Sequence, residues 1–556
     1  MPIDRKEMRW NGWGWTRAHN PLEGREAVWT WIAAALGVSE LPQTPAKPLE
    51  QITLATSRLD PGARQTLAAA IGSDAIRDDK FERASHARGK SFHDLLHLRA
   101  GALSTAPDAV IYPRSTDDVV RVVKWAADAG IAVVPFGGGS SVVGGVTGSP
   151  GAQRAAVALD LTEMRKVVEI DAVSLTVTAE AGIYGRDLEA ALNAKGFTLG
   201  HYPQSYEFST LGGWVAARGA GQQSLRYGKA EDWFAGGEVV TPKGVWKLPA
   251  QPASAAGPDL RAIVAGSEGA FGVITSVTAR IHHLPRARDY TAFLFRDFAS
   301  GADAVRRVVQ SDLPLAMLRL SDADESYFFQ AFGKAGLAPT FRDKVQDAFL
   351  KAMNVGERPC ALIVGAEGDP ATTSFVGVRV RALLKLAGGV AVGASPARRW
   401  YAGRFHGPYS RDPLMDHGLG VDTLETATNW SNVMRLWTAV REALDKAMRD
   451  NAVTPGAHGI VLGHISHTYH DGASLYFTYI YPRDLQREVA QWHAIKKAAS
   501  DAITANGGTI THHHGVGEDH APWLAAEKGA IGIDVLRAVK RELDPTGVMN
   551  PGKLLS

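Results

Sequence analysis

From residue 107 onward the apolar positions of this chain switch repeatedly between two periods. Ala109-Val110-Ile111-Tyr112-Pro113 reads as a short strand. Ser115-Thr116-Asp117-Asp118 then supplies a helix cap, and apolar positions over 119–129 recur on one helical face. A second apolar run, 131–134, ends in Pro135 and a cluster of glycines. Further strands are predicted over 156–161, 167–170 and 175–179, with a helix over 185–194. After a boundary near Pro285, a strand at 291–295, a helix at 301–310 and a strand at 316–320 open a second α+β unit. The stretch 488–539 is mostly helical, interrupted by 507–517.

This pattern predicts an α+β protein with a mainly helical N-terminal region (1–103) and an α+β unit over 104–286. A second α+β unit over 287–485 and a helical C-terminal segment over 486–556 follow. A length of 556 residues calls for more than one core, and 45% hydrophobic with 21% charged residues fits a globular protein. The net charge of +2 is scattered, so no nucleic-acid partner is expected. Cys360 is the single cysteine, which excludes an intramolecular disulfide and a thiolate metal centre and suits a reducing, cytoplasmic setting. The longest apolar stretch, 27–38, falls short of the roughly 20 residues of a spanning helix. Its Trp29, Trp31 and Ile32 are candidates for peripheral membrane contact.

Candidate chemistry begins at Pro135-Phe136-Gly137-Gly138-Gly139-Ser140-Ser141. Glycines let successive N–H groups converge on an anion, and two hydroxyls beside them suit a pyrophosphate. Val142 occupies the last glycine position of G-x-G-x-x-G counted from Gly137, and no G-K-[ST] ending follows. Taken alone, the loop is either a phosphate cradle or a tight turn. A second segment carries Gln204, Ser205, Glu207, Phe208, Ser209 and Thr210, and continues to Ala217, Arg218, Gly219 and Ala220. A third is Glu268-Gly269-Ala270-Phe271-Gly272-Val273-Ile274. His512-His513-His514 is the other feature. Consecutive side chains alternate in direction, so at most two of the three would face one ligand. With no further His, Cys or Asp at ligand spacing nearby, no metal is expected, and proton transfer or phosphate handling suits imidazole.

Three glycine-rich segments in this order resemble the flavoproteins with a vanillyl-alcohol-oxidase (PCMH-type) FAD-binding domain. The resemblance implies a two-subdomain FAD-binding domain, a substrate (cap) domain and a C-terminal segment closing on the flavin. The first loop would hold the FAD pyrophosphate, and the other two would line the ribityl chain and the isoalloxazine. The run Asp544-Pro545-Thr546-Gly547 with Asn550-Pro551-Gly552-Lys553 is similar to the C-terminal signature of these proteins.

Within that family the chain is most similar to the ether-lipid branch, the alkyl-dihydroxyacetone-phosphate synthases. The motifs are Met8-Arg9-Trp10-Asn11-Gly12-Trp13-Gly14, Gly200-His201-Tyr202-Pro203, Arg319-Leu320-Ser321-Asp322, Arg411-Asp412, Glu425-Thr426, Gly472-Ala473-Ser474-Leu475-Tyr476-Phe477 and the histidine run. The resemblance implies exchange of the acyl group of acyl-dihydroxyacetone phosphate for a long-chain alcohol, with FAD as an electron sink. Tyr476 with His512, His513 and His514 would be catalytic, and Arg411, Arg319 and Thr423 would bind substrate. For Tyr476 to act as a base near pH 7, cationic neighbours must stabilise its phenolate, and His513 and His514 are the expected source. A homodimer is also implied.

The alternative is an FAD-linked oxidase or dehydrogenase of a 2-hydroxyacid or alcohol. Many such enzymes clamp their substrate with a metal held by two histidines and a glutamate. Those positions fall here on Tyr469, Tyr476 and His513, which favours the synthase side.

Overall fold

The computed structural model describes residues 3–18, 20–335, 353 and 355–555. Three sheets organise the chain. The first has four strands in the order Ile76–Arg77, Ala109–Ile111, Ala155–Asp160, Ile131–Phe136, the last three parallel. Parallel strands need a crossover, and the helix Thr116–Ala129 provides it. Its N-terminus is capped by the Ser115 hydroxyl, which accepts from the Asp118 N–H, and Gly130 ends it in the left-handed region at φ 62°. Ala155–Asp160 is buried along its whole length, as expected of a strand covered on both faces.

The second sheet is antiparallel, in the order Gly244–Leu248, Phe234–Thr241, Val273–Arg280, Thr176–Glu180, Val167–Asp171. One apolar cluster joins it to the first sheet, with Val133, Val157, Val177 and Val277 among its members. The two small sheets are the two-subdomain arrangement that the loop motifs imply.

The third sheet has seven antiparallel strands, running Val390–Gly393, Ala287–Phe295, Cys360–Gly368, Met317–Ser321, Ile460–Thr468, Gly472–Pro482, Leu419–Asn429. The helices Phe298–Val309, Pro370–Leu386 and Val433–Asp450 pack onto it, and Glu488–Ala505 packs on Val433–Asp450. The predicted strand at 291–295 begins earlier, at Ala287, and pairs in register with Cys360–Gly368 over its full length.

The C-terminal segment is not purely helical. After the helix Ala521–Leu543 the Asp544 carboxylate accepts from the Val548 and Met549 N–H groups, turning the chain back. Met549 then bridges Val133 in parallel, with Val133 N–H donating to the Val548 carbonyl at 2.8 Å. The last residues thus pair alongside the strand that delivers the first glycine loop.

Among the described residues no helix is long and apolar enough to cross a membrane. The residues expected to meet a bilayer are engaged inside the protein instead. Ile32 is fully buried, Trp29 stacks on His417 at 3.5 Å, and Trp31 packs against Phe328 and Phe332.

Met549 is completely buried behind the first loop. Met549→Ala is expected to lower the unfolding free energy by about 2–5 kcal/mol, read as a reduced urea midpoint. An unchanged midpoint would mean that this returning strand contributes nothing to the fold.

Candidate active site

All three glycine-rich segments converge on one cavity of about 510 Å³. Pro135, Phe136, Gly137, Gly138, Gly139, Ser140 and Ser141 line it from the end of the Ile131–Phe136 strand. Among the described residues the N–H groups of Gly138, Gly139, Ser140 and Ser141 donate to no other group. A row of uncommitted amides at a cavity wall is an anion nest, and it fits the pyrophosphate of FAD. Glycine is required here because the loop lies against the second segment. A Cβ at Gly138 would stand 1.7 Å from the Phe208 carbonyl oxygen, and one at Gly137 would stand 2.3 Å from the Thr210 hydroxyl.

From the second segment, Gln204, Ser205, Ser209, Thr210, Ala217, Gly219 and Ala220 reach the cavity. Glu207, Phe208 and Arg218 do not. Glu207 accepts from the Tyr409 hydroxyl at 2.9 Å, Phe208 packs against Trp13, Trp15 and Tyr409, and Arg218 pairs with Glu231 at 3.2 Å. From the third segment, Glu268, Gly269, Gly272 and Ile274 line the wall. Ala270 and Phe271 pack with Val516 and Leu524, and Val273 belongs to the core between the small sheets. Burial raises the Glu268 carboxyl to about pH 7, partly opposed by the Val516 and Gly517 N–H groups it accepts from. Asn550 donates to the Glu268 carbonyl at 2.6 Å, so the C-terminal signature meets the third loop.

The opposite wall comes from the large sheet. Tyr476 sits in register with Glu425 on one neighbouring strand and His464 on the other. Its ring stacks on His464 at 4.9 Å and stands 5.6 Å from His514. Arg319 donates to His464 Nε2 at 2.8 Å and to Glu325 at 3.0 Å, while His464 Nδ1 lies 2.9 Å from the same carboxylate. Burial opposes ionisation of Glu325, but His464 and Arg319 hold it down at about pH 2. Arg319 therefore has a structural ion pair and also faces the cavity. Arg411 donates to the Lys90 carbonyl at 3.3 Å, stands 4.0 Å from Asp422, and lines the cavity together with Thr423.

Glu425, which sequence reasoning did not single out as a site residue, organises the histidine run. It is fully buried and accepts from the Thr511 hydroxyl at 2.7 Å, from the N–H of His513 at 3.1 Å and of His514 at 2.9 Å, and from the His512 N–H. Burial penalises this charge, yet the surrounding histidines and Thr511 hold the carboxyl well below its usual range. The available signal was an acidic residue within an apolar strand, which must find donors when buried. The loop so held places His513 and His514 on the cavity wall. His512 turns away to the Tyr469 hydroxyl, and its carbonyl accepts from Lys229 at 2.8 Å.

Two expectations need correction. Burial drives His513 down to about pH 3 and His514 to about pH 4, so both are neutral near pH 7 and neither supplies positive charge. Burial likewise raises the Tyr476 phenol above its ordinary value, with Thr423 and Arg411 pulling it the other way. Tyr476 therefore keeps its phenolic proton near pH 7, beside imidazoles that are neutral. Secondly, a fourth histidine, His467, approaches the run. His467, His512 and His513 offer ligand atoms within 4.8 Å of one another, a grouping that could hold a metal ion. Sequence spacing hid it because His467 comes from the Ile460–Thr468 strand. Both ring nitrogens of His467 and of His512 already have hydrogen-bonding partners, Ser466, Gly221, Tyr469 and His513.

A nest of free amides facing a large cavity, with polar and apolar walls, suits a phosphate-bearing cofactor, and the family matches make the chain an FAD-dependent enzyme of the FAD-linked oxidase class. Residues 107–248 match the family described as FAD binding domain, and residues 284–554 match the family described as FAD linked oxidases, C-terminal domain. A crystal structure of p-cresol methylhydroxylase with substrate bound shares the fold, with a TM-score of 0.67 at 17% identity over 88% of this chain and 96% of that one. A crystal structure of an alkyldihydroxyacetonephosphate synthase superposes at a TM-score of 0.84 with 31% identity, covering 99% of this chain and all of that one. The alkyldihydroxyacetonephosphate synthase of Dictyostelium discoideum is 32% identical over 99% of this chain and 94% of its own length. The chain belongs to the alkyldihydroxyacetonephosphate synthase family.

The neutral histidines have a consequence for stability. His201, His467, His512, His513, His514 and His520 are all held below their ordinary value by burial. Each takes a proton near its ordinary value of about 6.5 only when unfolded, so the stability tied to neutrality is complete above that pH and is lost as pH falls. The loss is about 1.4 kcal/mol per pH unit per histidine. Glu268, Asp322 and Asp519, raised by burial to about 7, 7 and 8, act in the opposite sense but are outnumbered. The melting temperature of the FAD-loaded protein is expected to fall steadily from about pH 6.5 to about pH 5. A flat profile would contradict the buried, neutral cluster.

Proposed function

We propose that this protein exchanges the fatty acyl group of an acyl-dihydroxyacetone phosphate for a long-chain alcohol, forming an ether lipid precursor. One observation carries the reading: cations, a phenol and an apolar branch share a single cavity. Arg411, Arg319 and Tyr476 occupy the polar wall, while Phe328, Phe332, Leu414, Val421, Leu462 and Ile480 line the apolar part. A phosphate joined to fatty chains needs both environments in one space. The Tyr469, Tyr476 and His513 that replace the metal ligands of hydroxyacid dehydrogenases support the same reading.

The residues of the three loops that line the cavity would hold FAD, which when bound would supply an electron sink. Arg411 presents a planar donor fork to the phosphate dianion. Arg319 holds His464 beneath the Tyr476 ring, which fixes the phenol. Tyr476 Oη donates a hydrogen bond to the departing carboxylate, and a neutral ring nitrogen of His513 or His514 takes the proton of the incoming alcohol and passes it to that carboxylate, so the fatty acid leaves and both side chains return to their starting state.

We further propose contact with a membrane through the helix Ala323–Lys334. Tyr327 and Phe329 are 46% and 58% exposed there, beside the apolar branch of the cavity. Self-association as a homodimer is supported by a solvent-facing apolar stripe, Phe375, Val378 and Leu386, on the helix Pro370–Leu386.

Incubation of the FAD-loaded protein with palmitoyl-dihydroxyacetone phosphate and hexadecanol is expected to yield the alkyl ether and free palmitate by mass spectrometry. No ether, together with anaerobic flavin bleaching by a hydroxyacid, would move the chain to the oxidoreductases. Tyr476→Phe is expected to retain FAD while losing about 100-fold or more in turnover. Arg411→Lys is expected to raise KM for the phosphorylated substrate about tenfold. An equal effect with a phosphate-free analogue would refute phosphate binding by Arg411.

A further inference from the structure

The N-terminal motif around Trp10 and Trp13 has no place in the chemistry above, and its contacts are unusual. Residues 5–16 form a tight hairpin: Met8 bridges Trp15, Arg9 N–H donates to the Gly14 carbonyl, and Thr16 N–H to the Glu7 carbonyl. One end of this hairpin grips the first loop. The Arg5 guanidinium donates to the Gly137 carbonyl at 2.7 Å and to Asp160 at 2.5 Å, and lies over the Phe136 ring. Asp160 is fully buried, in register with Phe136, and also receives His86 Nε2 at 2.8 Å.

The other end grips the segment that carries Arg411. Asp412 is buried and accepts from the Trp13 N–H at 3.1 Å and from Arg9 at 3.2 Å. The fit requires glycine, because a Cβ at Gly12 would lie 2.0 Å from the Asp412 carboxylate. Gly14, at φ 97°, lies flat against the Tyr409 ring.

Lys90 ties the two ends together. Its N–H donates to the Ser141 carbonyl at 2.6 Å, its ammonium to the Arg9 and Trp10 carbonyls at 3.1 and 2.7 Å, and its own carbonyl accepts from Arg411. A small void of about 30 Å³ separates these side chains from Gly138, Gly139 and Ser140. Arg5 is paired with Asp160 and Arg9 with Asp412, whereas the hydrogen bonds of the Lys90 ammonium go to carbonyls alone. Net positive charge therefore sits directly behind the amide nest.

We propose that the N-terminal hairpin is a bolt across the cofactor loop and the Arg411 segment, with Arg5 and Lys90 as positioning residues for FAD retention and for phosphate binding. With the bolt in place, the loop amides and Arg411 are held at fixed separation. With it loosened, the Gly137–Ser141 backbone loses its anchors and its cationic backing. The substrate arm of this inference rests on the function proposed above; the FAD arm does not.

The test is FAD release from the full-length, FAD-loaded protein, followed by the rise in flavin fluorescence on dilution. Arg5→Met and Lys90→Met are each expected to release FAD about tenfold or more faster than wild type, the worth of one charge-assisted hydrogen bond. Arg5→Lys, which keeps the charge opposite Asp160, is expected to fall between them and wild type. Wild-type release rates in both Met variants would overturn the proposal. A second measurement needs no variant. Burial lowers the Lys90 ammonium to about pH 8, with Asp412 and Asp94 opposing the shift and Arg5 adding to it, and Arg9 facing the same void. Release from the wild-type protein is expected to accelerate between about pH 7 and about pH 9 as that charge is lost, and a flat profile would overturn the proposal. In saturating FAD, Lys90→Met is expected to raise KM for the phosphorylated substrate more than it lowers kcat. Absence of any ether product from the wild type would sink the function and leave the release result standing.

Discussion

A single buried carboxylate, Glu425, fixes the relation between the two halves of the active site. A charge with no exposure survives only if donors surround it, and here three consecutive backbone N–H groups and the Thr511 hydroxyl do so. The demand is mutual, because a loop of successive histidines has no ladder of its own to satisfy its amides. Pinned in this way, the loop carries His513 and His514 to the cavity wall and leads on to Val516 and Gly517, which bind Glu268 of the third cofactor segment. One acid on the large sheet and one in the turn before the Val273–Arg280 strand thus hold the same loop.

The electrostatics follow from this enclosure. Carboxylates that accept several N–H bonds stay ionised, whereas the imidazoles stay neutral because burial penalises their charged form, with nearby cationic and histidine side chains adding to the shift. The site therefore contains fixed negative charge at Glu425 and Glu325, fixed positive charge at Arg319 and Arg411, and uncharged acid–base groups between them. Such an arrangement suits an exchange reaction, in which protons move between substrate oxygens and the enzyme ends with the charge it began with.

Much of the cofactor half was legible in the chain itself. The Pro135–Ser141 loop, the capped helix after Ser115 and the glycines at 269 and 272 are local signals, written within a few residues of where they act. The same locality explains why Glu207, Phe208, Arg218, Ala270, Phe271 and Val273 do not line the cavity, since a segment at a cavity wall also has residues that turn into the core or out to the surface. What stayed hidden is long-range. Glu425 meets the histidine run across more than eighty positions, His467 joins it from another strand, and Asp160 meets Arg5 across the first sheet. Protonation was the other blind spot. The family resemblance implies histidines acting with Tyr476, but only burial decides that the imidazoles are neutral and the phenol keeps its proton.

The decisive measurement is the turnover of Glu425→Gln in its FAD-loaded form. The amide preserves shape but offers one acceptor oxygen instead of two and no charge, so the histidine loop loses its anchor. Turnover is expected to fall about 100-fold or more, the scale of a roughly 1 Å misplacement of catalytic groups, with flavin absorbance per protein unchanged. Wild-type turnover in that variant would show that the histidine loop holds its place without the buried charge, and Glu425 would not be the constraint that aligns the two halves of the site.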